Sequence, residues 1–323
     1  MRELISKKRI NKIVPIEGAD KIEALQIGGW LSIAQKGEFS LGEEVVFIEI
    51  DSHLPLWECF DFLKDRCLKF DGYYIRTLKL RGIYSQGLVI KESQLSHSFE
   101  ELKNQTQHID DVRAKFQADN MQTNPGGSFP SWIFKTDEIR IQNLTAPFID
   151  LKKPLFITEK IDGTSATYFI DINNGEFGLA GRNTRLSSEQ NNASVYLEMA
   201  LKYNIENYLR KMQERTEQPV WLQGEIVGPG IQGNHYELTE NRLYIFNVSH
   251  PELVPAEILA VPRLENPTNF EGSDTYDYWL KLADIKSTLN SKKIAEGIVV
   301  RQGNTSLERE PSFKVINNKY LVK

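Results

Sequence analysis

Cysteine is nearly absent from this 323-residue chain: Cys59 and Cys67 are the only two. That excludes a disulfide scaffold, and without a second pair their spacing excludes a zinc knuckle. Both are expected to be reduced, structural thiols of a cytoplasmic protein. Histidine is sparse too. His53, His97, His108, His235 and His250 do not cluster along the chain, so no histidine-based metal site is expected. No apolar run approaches a membrane span. The N-terminal MRELISKKRINK is basic, but no apolar core or small-residue cleavage site follows it, so it does not read as a secretory signal. An excess of basic charge is missing as well. Lys and Arg total 39 against 44 Asp and Glu, a formal net charge of −5. That argues against a protein that coats nucleic acid non-specifically, yet leaves room for a local basic groove on an acidic remainder.

What is present is an ordinary globular composition, 40% hydrophobic and 26% charged, in a chain long enough for two domains. The first hundred residues read as β-rich. GEEVVFIEI (42–50) is a buried strand run, YYIRTLKLRG (73–82) alternates, and GLVI (87–90) is a short apolar strand. The glycines and polar turns between them fall at the spacing of a small barrel. Residues 101–131 are polar and read as a linker with a short helix inside. Beyond them lies an α+β region. Its expected strands are PLFIT (154–158), ATYFI (166–170), EFGLAG (176–181), VWLQGEIVG (220–228), RLYIFNV (242–248), EGIVVR (296–301) and SFKVI (312–316). Val195, Met199 and Tyr203 recur every four residues and predict an amphipathic helix over 188–215, capped by Ser187 or Ser188. A second helix is expected near 274–289.

The chemistry begins at EKIDGTS (159–165). Lys160 sits just past a strand end, and Asp162 and Gly163 follow. Glycine lets a backbone approach a phosphate or ribose closely. A lysine is a nucleophile only when neutral, so its site is expected to lower its pKa through neighbouring cations or burial. Alone this signal is weak, because a turn with a solvated lysine explains it equally well. Further elements follow in order. GRNTR (181–185) places Arg182 and Arg185 on a loop, where guanidinium forks suit phosphate oxygens. Glu225 lies within a strand beside glycines. Phe246 offers a flat face for a purine. Glu296 stands at the mouth of an apolar strand, and Lys314 alternates with Phe313 and Val315 on the last one. Each also has a bland explanation as core, loop or strand end.

Taken together, the set resembles the covalent nucleotidyltransferases, the polynucleotide ligases and messenger-RNA capping enzymes, over residues 132–323. The resemblance implies that Lys160 takes AMP, with Glu159 and Asp162 beside the nucleotide and Gly163 permitting the turn. It implies that Arg182 binds a 5′-phosphate or the AMP phosphate, and that Glu225 holds the ribose or a metal-bound water. Phe246 would stack on the base, Glu296 would coordinate magnesium, and Lys314 would grip the α-phosphate. Two positions depart from the family: Ile316 stands where a second lysine is frequent, with Lys319 nearest, and Ser165 stands where DNA ligases and capping enzymes usually carry arginine.

Only NNKYLVK follows Ile316, which leaves no room in this sequence for a C-terminal OB domain. The N-terminal VPIEGADKIEALQIGGW and LKLRGIYSQGLVI, with FPSWIFKTDEIRIQN (129–143), resemble the Deinococcus-type RNA ligases, which carry an N-terminal OB domain. That resemblance implies an OB-like barrel over 1–100 and an adenylyltransferase domain over 132–323. It implies ATP and magnesium as cofactors, with manganese as a substitute, and a nicked RNA or RNA/DNA hybrid duplex as partner of a monomeric enzyme. Lys64, Arg66, Lys69, Arg76, Lys79 and Arg81, interleaved with Phe70, Tyr73 and Tyr74, form a candidate nucleic-acid face, to which Arg185 is added. Two alternatives stay open: an RNA-capping guanylyltransferase, and a non-catalytic binding protein on a ligase scaffold.

Overall fold

A computed structural model describes residues 2–119, 127–187, 193–303 and 312–322. The chain divides into two compact units. One comprises Met1–Thr123, Ile141–Leu144 and Leu321–Lys323; the other comprises Asn124–Arg140 and Thr145–Tyr320. No described helix is long and apolar enough to cross a membrane.

The first unit is built from short antiparallel strands. They are β1 (Ile5–Arg9), β2 (Lys12–Pro15), β3 (Ile22–Ile27), β4 (Trp30–Gln35), β5 (Glu44–Ile48) and β6 (Ser52–Leu54), then β7 (Leu68–Lys69), β8 (Gly72–Tyr74), β9 (Leu78–Leu80), β10 (Ile83–Ser85), β11 (Leu88–Ile90) and β12 (Gln107–His108). Helices α1 (Lys64–Cys67), α2 (Phe99–Gln105) and α3 (Ile109–Asp119) join them. Strand β5 lies between β1 and β11. Its unbroken apolar run follows from burial on both faces. Val45 and Phe47 enter a cluster with Leu25, Ile27 and Trp30, whereas Val46 and Ile48 enter another with Leu54, Phe60 and Tyr73.

Two expectations change here. The alternating run 73–82 is not one strand. Tyr73, Ile75 and Thr77 point inward, and then β9 and β10 form a hairpin whose two loop residues, Arg81 and Gly82, have φ of 49° and 84°. Two positive φ values make a type I′ turn that suits strand twist. Nothing in an Arg-Gly pair announces it. The polar stretch 101–131 opens with structure: part of α2, then β12 and α3, which bury Leu102, Ile109 and Val112. Ser98 caps α2 by accepting from the Glu101 N–H at 3.2 Å.

The second unit holds β13 (Ile139–Arg140), β14 (Leu155–Lys160), β15 (Thr164–Ile170), β16 (Phe177–Ala180), β17 (Arg185–Leu186), β18 (Trp221–Val227), β19 (Arg242–Val248), β20 (Gly297–Gln302) and β21 (Ser312–Ile316). One sheet has the order β17-β16-β15-β18-β19 and the other β13-β21-β20-β14. Ala166, Tyr168 and Ile170 of β15 pack beneath α4 (Ser194–Lys202) and α5 (Ile205–Thr216), meeting Met199, Leu209 and Met212. Phe169 faces the other way, towards Phe129, Ile133 and Trp221. The expected helix over 188–215 is therefore two helices, broken at Asn204, whose φ of 49° only a few residue types accept readily. Ser187 precedes α4 by several residues and does not cap it; residues 188–192 lie outside the described residues. The helix α6 spans only Tyr276–Leu282 of the expected 274–289, because the chain leaves it to present Ser287 and Thr288 to Glu159.

Candidate active site

Strand pairing delivers the chemical groups to one place. Lys160 ends β14 opposite Gly297, the residue after Glu296, so the two side chains meet at a sheet end. Lys160 Nζ donates to both Glu296 carboxylate oxygens at 2.7 Å. A Cβ on Gly297 would lie 2.1 Å from the Val315 carbonyl oxygen, so this pairing needs a glycine. From Lys160 the chain crosses to β15 through Asp162 and Gly163. Strand β15 pairs β18 with Ser165 opposite Glu225. Glu225 Oε1 accepts from the Gly163 N–H at 3.1 Å. Gly163 is required by close approach: a Cβ there would lie 2.3 Å from the Ile226 carbonyl oxygen. Tyr236 Oη accepts from the Asp162 N–H at 2.7 Å, and Tyr320 Oη donates to Asp162 Oδ2.

Three carboxylates, Asp162, Glu225 and Glu296, thus share a half-buried site with one lysine, and the ionisation of Glu225, Glu296 and Lys160 reflects that. Glu225 is pushed up to about 8, first by burial and then by the charges of Glu296 and Asp162, against Lys160 and the Gly163 N–H. Glu296 is raised by burial and by Asp162, with Lys160 and Lys314 opposing. For Lys160 the expectation of a lowered pKa is not met. Burial lowers it, but Glu296, Glu225 and Asp162 together outweigh burial and hold the amine charged. The expected basic surroundings are, in immediate contact, acidic. Lys314 goes the other way: burial lowers it, helped by Lys160 and Arg140 and resisted by Asp137.

Lys314 Nζ donates to Asp137 Oδ1 at 2.8 Å, and Arg182 Nη2 donates to the same oxygen at 3.3 Å. The structure therefore brings Arg182 and Lys314 to one carboxylate. It does not bring Arg185 there. That guanidinium binds Asp171 and lies over the Phe169 ring at 5.4 Å. Glu159 also points away from Lys160, as strand alternation demands. Its buried carboxylate accepts from the Thr288 N–H at 2.8 Å and from the Ser287 and Thr288 hydroxyls. Phe246 occupies a β-bulge: Gln223 pairs with Asn247 and Gly224 with Ile245, so Phe246 is the extra residue. A bulge re-aims its side chain, and Phe246 is half-buried. At the first departure from the family pattern Ile316 is buried, and the nearest lysine, Lys319, pairs with Asp284 at 2.6 Å; at the second, Ser165 pairs with Glu225 across β15 and β18.

Lys64, Arg66, Lys69, Arg76, Lys79 and Arg81 are all exposed in the first unit. Lys69 lies over Phe70 and Tyr74 at 5.6 and 5.5 Å. Tyr73 is not part of that face: it is 2% exposed and its hydroxyl donates to Asp61. Asp137, Arg140, Tyr236 and Tyr320 are site residues that the sequence reading missed. Arg140 had a signal, since it lies in the FPSWIFKTDEIRIQN segment and pairs in register with Lys314. For the two tyrosines no local pattern exists.

Comparison with known proteins gives the family and supports the fold. The family model for RNA ligase matches residues 153–316, and an OB-fold domain model matches residues 4–91. No curated protein sequence matches the chain. Similar solved structures include the Naegleria gruberi RNA ligase with pyrophosphate, at 28% identity and a TM-score of 0.78, covering 99% of this chain and 98% of that one. A glutamate-to-alanine variant of that ligase with ATP and manganese has 29% identity and a TM-score of 0.78, over 99% and 98%. A lysine-to-methionine variant with AMP and manganese gives the same values. The chain belongs to the RNA ligase family and carries an OB-fold domain ahead of its ligase domain.

Proposed function

We propose that this protein is an ATP-dependent RNA ligase that joins a 3′-OH to a 5′-phosphate at nicks in RNA or RNA/DNA hybrid duplex, with Lys160 as the nucleophile. The observation that carries the reading is the convergence of Lys160 with Glu296, Glu225 and Asp162 at one sheet end. In the first step the Lys160 amine attacks the α-phosphorus of ATP, the bond to the pyrophosphate oxygen breaks, and a lysyl–AMP forms. The ammonium gives up a proton to attack, and the Glu296 carboxylate that touches Nζ is the acceptor in reach. Lys314 and Arg182 neutralise the phosphate charge, and Phe246 stacks on the adenine. AMP then passes to the RNA 5′-phosphate, and attack by the 3′-OH releases it. Each step is a phosphoryl-type transfer, in which position and charge neutralisation supply most of the rate.

A divalent cation fits the donor set. Burial and mutual repulsion raise Glu225 and Glu296, a strain that a cation relieves. Among the described residues no three acidic, histidine or cysteine side chains form a complete cage. Magnesium characteristically takes one or two carboxylates and keeps waters and phosphate oxygens as its other ligands. Glu225 and Glu296 are the residues that would hold it, and it would supply charge neutralisation at the phosphates. Manganese, present with the Naegleria gruberi ligase, is the expected substitute.

The OB-fold unit docks the nucleic acid through Lys64, Arg66, Lys69, Arg76, Lys79 and Arg81. Its two free cysteines suit a cytoplasmic setting. The test is covalent labelling with ATP carrying a labelled α-phosphate. The wild type is expected to retain label, and Lys160→Ala to retain none while keeping its circular dichroism. Labelling from GTP alone would instead favour RNA capping.

A further inference from the structure

Two of the cations assigned to phosphates, Lys314 and Arg182, are held by a residue that the reaction scheme does not use. Asp137 Oδ1 accepts from both, at 2.8 and 3.3 Å. The position of Asp137 is built into the fold. Glu138, the next residue, accepts from Arg301 at 3.1 Å and from the Ser312 hydroxyl. Ile139 and Arg140 then pair in parallel with Phe313 and Lys314. The segment that carries Asp137 is thus fastened to the strand that carries Lys314. The lysine side chain is 14% exposed and the aspartate 49% exposed, so the carboxylate covers the cation from the open side.

To an ammonium and a guanidinium, carboxylate and phosphate oxygens are the same kind of acceptor. We propose that Asp137 is a resident counter-ion, which keeps Lys314 and Arg182 converged in the nucleotide-free protein and yields them to the phosphates of ATP. This rests on the reading of Lys314 and Arg182 as phosphate-binding groups. Two consequences follow from the geometry. Without that counter-ion, Lys314 would lose its hydrogen-bonded partner and face Arg140 and Lys160, with the Glu296 charge left to oppose them. With one, every incoming phosphate competes against Asp137, so the residue weakens ATP binding while keeping the site assembled. Asp137 is a positioning residue, and its signature is a change in ATP requirement rather than in the chemical step.

The test is single-turnover self-adenylylation of the full chain against ATP concentration, at low and high salt, for wild type, Asp137→Asn and Asp137→Ala. Both substitutions are at an exposed side chain, and matched melting temperatures confirm the fold. The expected result is that the ATP concentration for half-maximal rate falls about two- to fivefold at low salt, the scale of an exposed ion pair. The maximal rate stays within about twofold, and the difference shrinks as salt screens the pair. A half-maximal concentration that is unchanged or higher in both variants overturns the counter-ion role, as does a fall in maximal rate alone. A wild type that forms no lysyl–AMP at all would instead remove the ligase reading on which the inference rests.

Discussion

At the scale of single residues, the site is a balance between one amine and three carboxylates. Glu296 is the member in direct contact with Lys160, through both oxygens. Glu296→Gln keeps the shape and removes the charge. It is expected to lower the rate of self-adenylylation on the order of 100-fold or more, about 2.7 kcal/mol of barrier, with little change in melting temperature. An unchanged rate would show that the carboxylate has no part in the step. The grouping of Lys160, Glu225, Glu296 and Lys314 was legible in the sequence because each lies in a short, ordered motif. Tyr236 and Tyr320 were not, since they reach Asp162 across 74 and 158 residues. Contacts at such separations leave no local periodicity. Adjacency in sequence means opposite faces in a strand, so the Glu159 carboxylate meets Ser287 and Thr288 and not Lys160.

At the scale of elements, the strands of the ligase domain were mostly readable. β19 and β21 match their predicted spans residue for residue, since apolar runs bounded by glycine or polar residues announce buried strands. The interruptions were not readable. The bulge at Phe246, the break at Asn204 and the early end of α6 answer to tertiary partners rather than to local preference. The same holds for Arg185, which fastens β17 to Asp171. Asp171 lies below the ordinary carboxyl range because the Asn173 backbone N–H, and then Arg185, bind its ionised form. A depressed native pKa contributes stability above the unfolded value of about 3.9, and that contribution is lost as pH falls through the lower native value. Asp171→Asn is therefore expected to cost about 1–2 kcal/mol at pH 7 and progressively less towards roughly pH 3 and below. Denaturant titrations at the two pH values check this, and an equal cost at both would contradict it.

At the scale of the whole molecule, a chain of net charge −5 carries a run of exposed cations on its OB-fold unit. The overall charge concealed this face, and the local clustering of Lys and Arg between 64 and 81 revealed it. The polar texture of 101–131 likewise concealed three buried residues, Leu102, Ile109 and Val112, because so few apolar side chains suffice to seat two short helices. Neutralising Lys69, Arg76 and Lys79 together is expected to weaken RNA binding and to flatten its dependence on salt by about one unit of log–log slope per cation removed. Self-adenylylation should be unaffected. An unaltered salt slope would assign the RNA face elsewhere.

The most direct measurement is peptide mapping by mass spectrometry after the protein has been incubated with ATP and magnesium. The account predicts a mass gain of one AMP on the peptide that contains Lys160, lost again when pyrophosphate or a nicked RNA duplex is added. AMP on any other residue, or no covalent AMP under conditions where the protein seals RNA, would contradict it.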